Sequence, residues 1–93
     1  MTVGLIKGRH NLPESVSNYI WGGDIKDVTD VIRMEQHAMD WVQIHRPLNL
    51  TVYVTGLTAA LVAVIKACAL YSIPLTLMHY NRETKRYFSQ KVS

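Results

Sequence analysis

One cysteine and three prolines are all that this 93-residue chain holds of the residues that staple or break a fold. Cys68 has nothing inside the chain to pair with, so a disulfide framework is excluded. With no partner thiol and no secretory leader, a reducing cytoplasm is the expected compartment, and the sequon Asn49-Leu50-Thr51 is read as chance. Long hydrophobic runs are missing too. The longest, Ala59 to Ile65, stops at Lys66, far short of the roughly 20 residues of a bilayer span, so no membrane is expected. Charge is sparse, at 18% of residues and a net +3. That is too weak to coat duplex nucleic acid but compatible with one small anion site. His37 and His45 are eight residues apart, a poor metal spacing, and neither metal nor cofactor is expected.

What is present is apolar. Hydrophobic residues make up 48% of the chain, too many for disorder. The length allows one core, hence one domain over residues 1–93. So small a domain buries only about 60–65% of its unfolded surface. Together with four Met, five Tyr and two Trp, this leads us to expect self-association. Charge is unevenly spread. Residues 14–40 hold six acids and two bases, whereas residues 41–93 hold six bases and one acid.

Thr2 to Ile6 reads as a buried strand. Pro13 can open a short helix to Ile20, ended by Gly22-Gly23. Asp24 to Thr29 reads as a short edge strand or an extended connection, with Asp27 or Thr29 to cap the next helix. That helix runs to about His45, because Val31, Met34, Ala38 and Trp41 recur at helical spacing. Asn49 to Val54 is the clearest strand, rich in β-branched residues. Thr55 to Thr58 is a tight turn, and Thr58 is a natural cap for a helix from Ala59 to about Tyr71. That helix is apolar almost all round, so both its sides should be covered. Leu75 to Tyr80 is a third strand, and Arg86 to Ser89 pairs back on it across a turn at Asn81 to Lys85. Helices between strands imply right-handed crossovers and parallel pairing. The expected fold is α/β: a minimal Rossmann-like three-layer domain with a mainly parallel sheet and a C-terminal antiparallel hairpin. Strand order is left open.

Ligands of open parallel sheets bind outside the carboxyl ends of the strands. Three segments meet there: Gly8-Arg9-His10-Asn11, Thr55-Gly56-Leu57-Thr58 and His79-Tyr80-Asn81-Arg82. In the second, a glycine turn runs into a helix, whose unpaired N–H groups and dipole make an anion site. Thr55 and Thr58 add hydroxyls, and Gly56 permits close approach. The plainer reading is a turn at Gly56 and a cap at Thr58. The segment is neither a Walker loop nor a dinucleotide fingerprint. Arg9 can grip phosphate in a fork, and His10 can donate to an anion or shuttle a proton, though a solvated loop also explains both. His79 reads first as a satisfied, half-buried histidine, and Arg82 as a turn residue. Tyr19, Trp21 and Tyr80 could stack on a base. Tyr19 is expected instead to cover the sheet, whereas Trp21, beside Gly22-Gly23, is harder to bury.

The run Val52-Tyr53-Val54-Thr55-Gly56-Leu57-Thr58-Ala59-Ala60-Leu61 resembles the phosphate-contacting motif of CARF domains, the CRISPR-associated Rossmann folds. Leu5 to Pro13, with its Arg9-His10, is similar to the corresponding segment of small CRISPR-associated ring nucleases. The likeness extends loosely over the whole length, but its motifs total only about ten residues. Leu57 stands where the family usually has a second glycine, and Ala59 where it usually has lysine, so Arg9 would supply the charge. The resemblance implies a cyclic oligoadenylate ligand, the second messenger of type III CRISPR defence, lying across the axis of a two-fold homodimer. A ring nuclease would cleave it without metal, by attack of a ribose 2′-hydroxyl, with His10 as acid–base group. A sponge would bind it and leave it intact. The alternative is a nucleotide- or phosphate-binding Rossmann module, or a structural subunit, unrelated to CRISPR.

Overall fold

The computed structural model describes residues 1–9 and 11–93, so His10 lies outside the described residues. In chain order it runs β1 (Thr2–Ile6), β2 (Tyr19–Trp21), α1 (Val31–His45), β3 (Leu50–Tyr53), α2 (Thr58–Leu70), β4 (Leu75–Asn81) and β5 (Arg86–Lys91). The strands form one sheet in the order β2-β1-β3-β4-β5. Every neighbouring pair is parallel except β4 and β5, which form the antiparallel hairpin. The fold is therefore the α/β, Rossmann-like, mainly parallel domain that the sequence predicts.

Both helices lie on one face, and connectivity explains it. The two crossovers, β2 to β3 and β3 to β4, step the same way across the sheet. Right-handed connections stepping in one direction place their helices on one side. There α1 and α2 pack against each other. Met34, Ala38 and Trp41 of α1, and Ala60, Val64 and Ala67 of α2, share a core with Val3, Leu5, Leu50, Val52, Leu75 and Leu77. Lys66 Nζ donates to Glu35 Oε2 at 2.6 Å, tying the helices together at the surface. The outer side of α2 stays uncovered, with Val62 and Leu70 exposed, where all-round apolarity predicts cover on both sides.

The strands report what covers the other face. β3 and β4 begin by alternating buried and half-exposed residues, so one of their faces is open. In β1, Val3 to Ile6 are buried without a break, so both of its faces are covered. The second cover is the segment after β1. A Cβ on Gly4 would meet the Tyr19 ring at 2.5 Å and Leu12 Cδ1 at 2.8 Å. Val16 is buried as well, outside the helix-side core. The third layer is thus a patch of irregular chain over β1.

The helix expected over Pro13 to Ile20 does not form. Only one turn closes there, Val16 N–H to Pro13 O at 2.9 Å. Ser15, Ser17 and Asn18 are poor helix formers, and Tyr19-Ile20-Trp21 is a β-prone run. The ladder of β1 captures that run, with Gly4 N–H donating to Asn18 O at 2.9 Å and Lys7 N–H to Trp21 O at 3.0 Å. Residues 24–29 form no strand and act as a connection. The cap of α1 is Asp30, whose Oδ1 accepts from Arg33 N–H at 3.1 Å. Asp27 instead folds back on Thr29, accepting from its N–H at 2.9 Å and its hydroxyl at 2.6 Å. These bonds hold the exposed Asp27 carboxyl below the usual carboxylate pKa.

Candidate functional site

The carboxyl ends of β1, β3 and β4 open onto a cleft of about 640 Å³, within the range of about 300–1,000 Å³ typical of small-molecule sites. One wall is Asn11, Leu12 and Pro13, from the loop after β1. Val54 contributes from the end of β3, and His79 and Tyr80 come from β4. Arg82 enters from the hairpin turn and Tyr87 from β5. Asn11, His79, Tyr80 and Arg82 are therefore brought together, from two of the three segments expected at this edge.

The third segment is used differently. Thr55 is fully buried. Its Oγ1 accepts from Ile6 N–H at 3.1 Å and donates to Ile6 O at 3.2 Å. The hydroxyl bolts the end of β1 to the end of β3 and is spent there, not offered to an anion. Gly56 turns the chain at φ 51°, and Leu57 follows at φ 50°. Leu57, not Thr58, is the cap residue of α2, and among the described residues no side-chain capping hydrogen bond forms. Thr58 is the first helical residue and is exposed. Left-handed backbone costs a non-glycine residue about 1–2 kcal/mol, and Leu57 offsets this by packing on the core.

Two further expectations are corrected. Arg9 does not line the cleft, and its Nε lies 3.4 Å from Asp24 Oδ1. Gly8, at φ 87°, makes the turn before it. Trp21 is buried, not available to a base. Its ring stacks on His37 at 4.7 Å between centroids. The His37 Nε2–H donates to Ile20 O at 2.7 Å, which fixes the imidazole as a lid over the indole. Tyr19 covers the sheet at Gly4, as the sequence predicts. His79 is half-buried and satisfied, its Nε2–H donating to Gln90 Oε1 at 2.8 Å.

No protein-family model, no curated protein and no solved structure matches this chain. The site is therefore argued from its own chemistry. Arg82 brings a permanent cation to the cleft, and Asn11 an amide. Among the described residues, no three of His, Cys, Asp and Glu gather as a metal cage requires. Among the described residues, no helix is long and apolar enough to cross a membrane.

Sequence reasoning missed Tyr87 and Tyr53. Tyr87 meets Tyr53 edge-on at 4.8 Å and Tyr80 edge-on at 5.2 Å. Burial, and then the neighbouring Tyr53 and Tyr80 hydroxyls, push the Tyr87 hydroxyl pKa up. The signal was present in the hairpin: a turn at residues 82–85 pairs Asn81 with Arg86, and therefore Tyr80 with Tyr87.

Proposed function

We propose that the chain binds a cyclic oligonucleotide messenger, a cyclic oligoadenylate of type III CRISPR signalling, as a cytoplasmic homodimer. It lowers the free level of the messenger chiefly by sequestration. The observation that carries this reading is the cleft at the strand carboxyl ends, which Arg82 and Asn11 line together with Tyr80 and Tyr87. Sequestration is favoured over fast cleavage because in-line attack needs charge stabilisation close to the phosphate. Thr55 is spent on Ile6, Arg9 is paired with Asp24, and Ala59 supplies no cation.

A second reading, a nucleotide-binding module unrelated to CRISPR, draws support from the same burial of Thr55, because the turn that carries the CARF resemblance lines no part of this cleft. Titration calorimetry with cyclic di-, tri-, tetra- and hexa-adenylate, alongside AMP, separates the two. The proposal expects one ring to bind per two protomers, and an intact ring to be recovered after heat denaturation. Complete conversion to linear products within minutes, without metal, would replace the sponge by a nuclease. Binding of AMP with no binding of any ring would favour the second reading.

A further inference from the structure

We propose that Tyr80 and Tyr87 form a base-stacking subsite, so that the cleft takes a purine nucleotide rather than a bare phosphate or a sugar phosphate. This deepens the function proposed above and rests on it. Three tyrosines converge on one part of the sheet without serving the core. Tyr53, Tyr80 and Tyr87 are all outside the buried cluster formed with the helices. Tyr80 and Tyr87 face each other across the β4–β5 ladder, and both line the cleft.

The rings support one another in series. Tyr53 braces Tyr87 edge-on at 4.8 Å, and Tyr87 braces Tyr80 edge-on at 5.2 Å. Tyr53 and Tyr87 are half-buried, whereas Tyr80 is 50% exposed. The outermost ring is thus held from behind with much of its surface free. A pre-oriented ring stacks a base at little entropic cost, and the larger π surface of a purine favours it over a pyrimidine.

Charge selects the rest of the ligand. Arg82 lines the same cleft at the hairpin turn. The turn and the first residue of β5 carry Arg82, Lys85 and Arg86 against the single acid Glu83. A base on Tyr80 therefore leaves its phosphate beside a cationic turn, and base and phosphate are read by adjacent groups.

The test compares AMP with ribose 5-phosphate, titrated into the unaltered protein and into Tyr80→Ala and Tyr80→Phe. The expected result is AMP binding roughly tenfold tighter than ribose 5-phosphate, the scale of one stacked base. Tyr80→Ala should erase that preference and leave ribose 5-phosphate affinity unchanged, and Tyr80→Phe should keep it. Tyr80 is too exposed for either change to unfold the protein, and thermal unfolding of the variants checks this. Equal affinity for the two probes would overturn the stacking subsite while leaving the anion site standing. Failure of both probes and of every cyclic oligoadenylate would overturn this proposal together with the function it rests on.

Discussion

Replacing Thr55 by valine keeps the shape of the side chain and removes the hydroxyl that both accepts from and donates to the Ile6 backbone. A buried amide then loses its partner, at a cost of about 1–3 kcal/mol. Urea unfolding should show Thr55→Val destabilised on that scale and Thr55→Ser much less so. Lys85 sits at φ 56° in the hairpin turn and is exposed. Glycine relieves that conformation, so Lys85→Gly should be neutral or stabilise by up to ~1 kcal/mol, read as an unchanged or raised Tm. A clear fall would reveal a contact made by the lysine. At Cys68, burial pushes the thiol up to about 11 from its ordinary 9.0. Below pH 9 the thiol is neutral in both the folded and the unfolded chain. Between pH 9 and 11 only the unfolded chain ionises it, so stability is lost across that window. Denaturation at pH 8 and pH 11 should show the unaltered protein losing about 2 kcal/mol more than Cys68→Ala, since one pKa unit is worth about 1.4 kcal/mol.

β2 is three residues long and is held by β1 and by the chain that leads into it. Gly4 is the hinge of that arrangement, because Tyr19 and Leu12 lie where a Cβ would stand. Gly4→Ala should cost roughly 1–3 kcal/mol, the range for overpacking. The damage should be local. Amide exchange is expected to rise at residues 18–21 and to stay slow in α2; uniform acceleration would mean that this cover is integral to the whole core. The helix pair is organised differently. Ala60, Ala63 and Ala67 keep the buried side of α2 slim, and the ion pair of Lys66 with Glu35 closes the seam with α1. Such a surface pair is worth at most about 1 kcal/mol, so close packing dominates that contact.

At the scale of the molecule, the cleft exists because the strand order brings distant loops to one edge. Asn11, Val54 and Arg82 are far apart in sequence and line one cavity. This changes which arginine matters. Arg9 is engaged by Asp24, whereas Arg82 lines the cleft. Arg82→Ala should weaken the proposed nucleotide binding by about 1.5–3 kcal/mol, the range for a charge-assisted contact. Arg9→Ala should change it little, and calorimetry on the two variants compares them directly. The reverse ranking would move the anion site to the loop after β1. The proposed dimer is checked in the same preparations by sedimentation with and without ligand.

Local patterns decided the elements. Alternation at Leu50 and Val52 and at Leu75 and Leu77, the helical spacing of Met34, Ala38 and Trp41, and a hairpin turn ending in a left-handed Lys85 are all short-range features. Each depends on residues within a few positions, and so each was legible in the sequence. Tertiary structure decided where side chains spend their polar groups and rings. Thr55 found its partner 49 residues away, at Ile6. Trp21 was buried by His37, sixteen positions on in a helix whose docking the local sequence does not encode. Tyr19 and Ile20 left the expected helix for a strand because a neighbouring ladder offered hydrogen bonds. The same holds for the cleft. Its residue types and the hairpin pairing of Tyr87 with Tyr80 were readable, but the bracing of Tyr87 by Tyr53 depends on the β3–β4 register, which is set by long-range contacts.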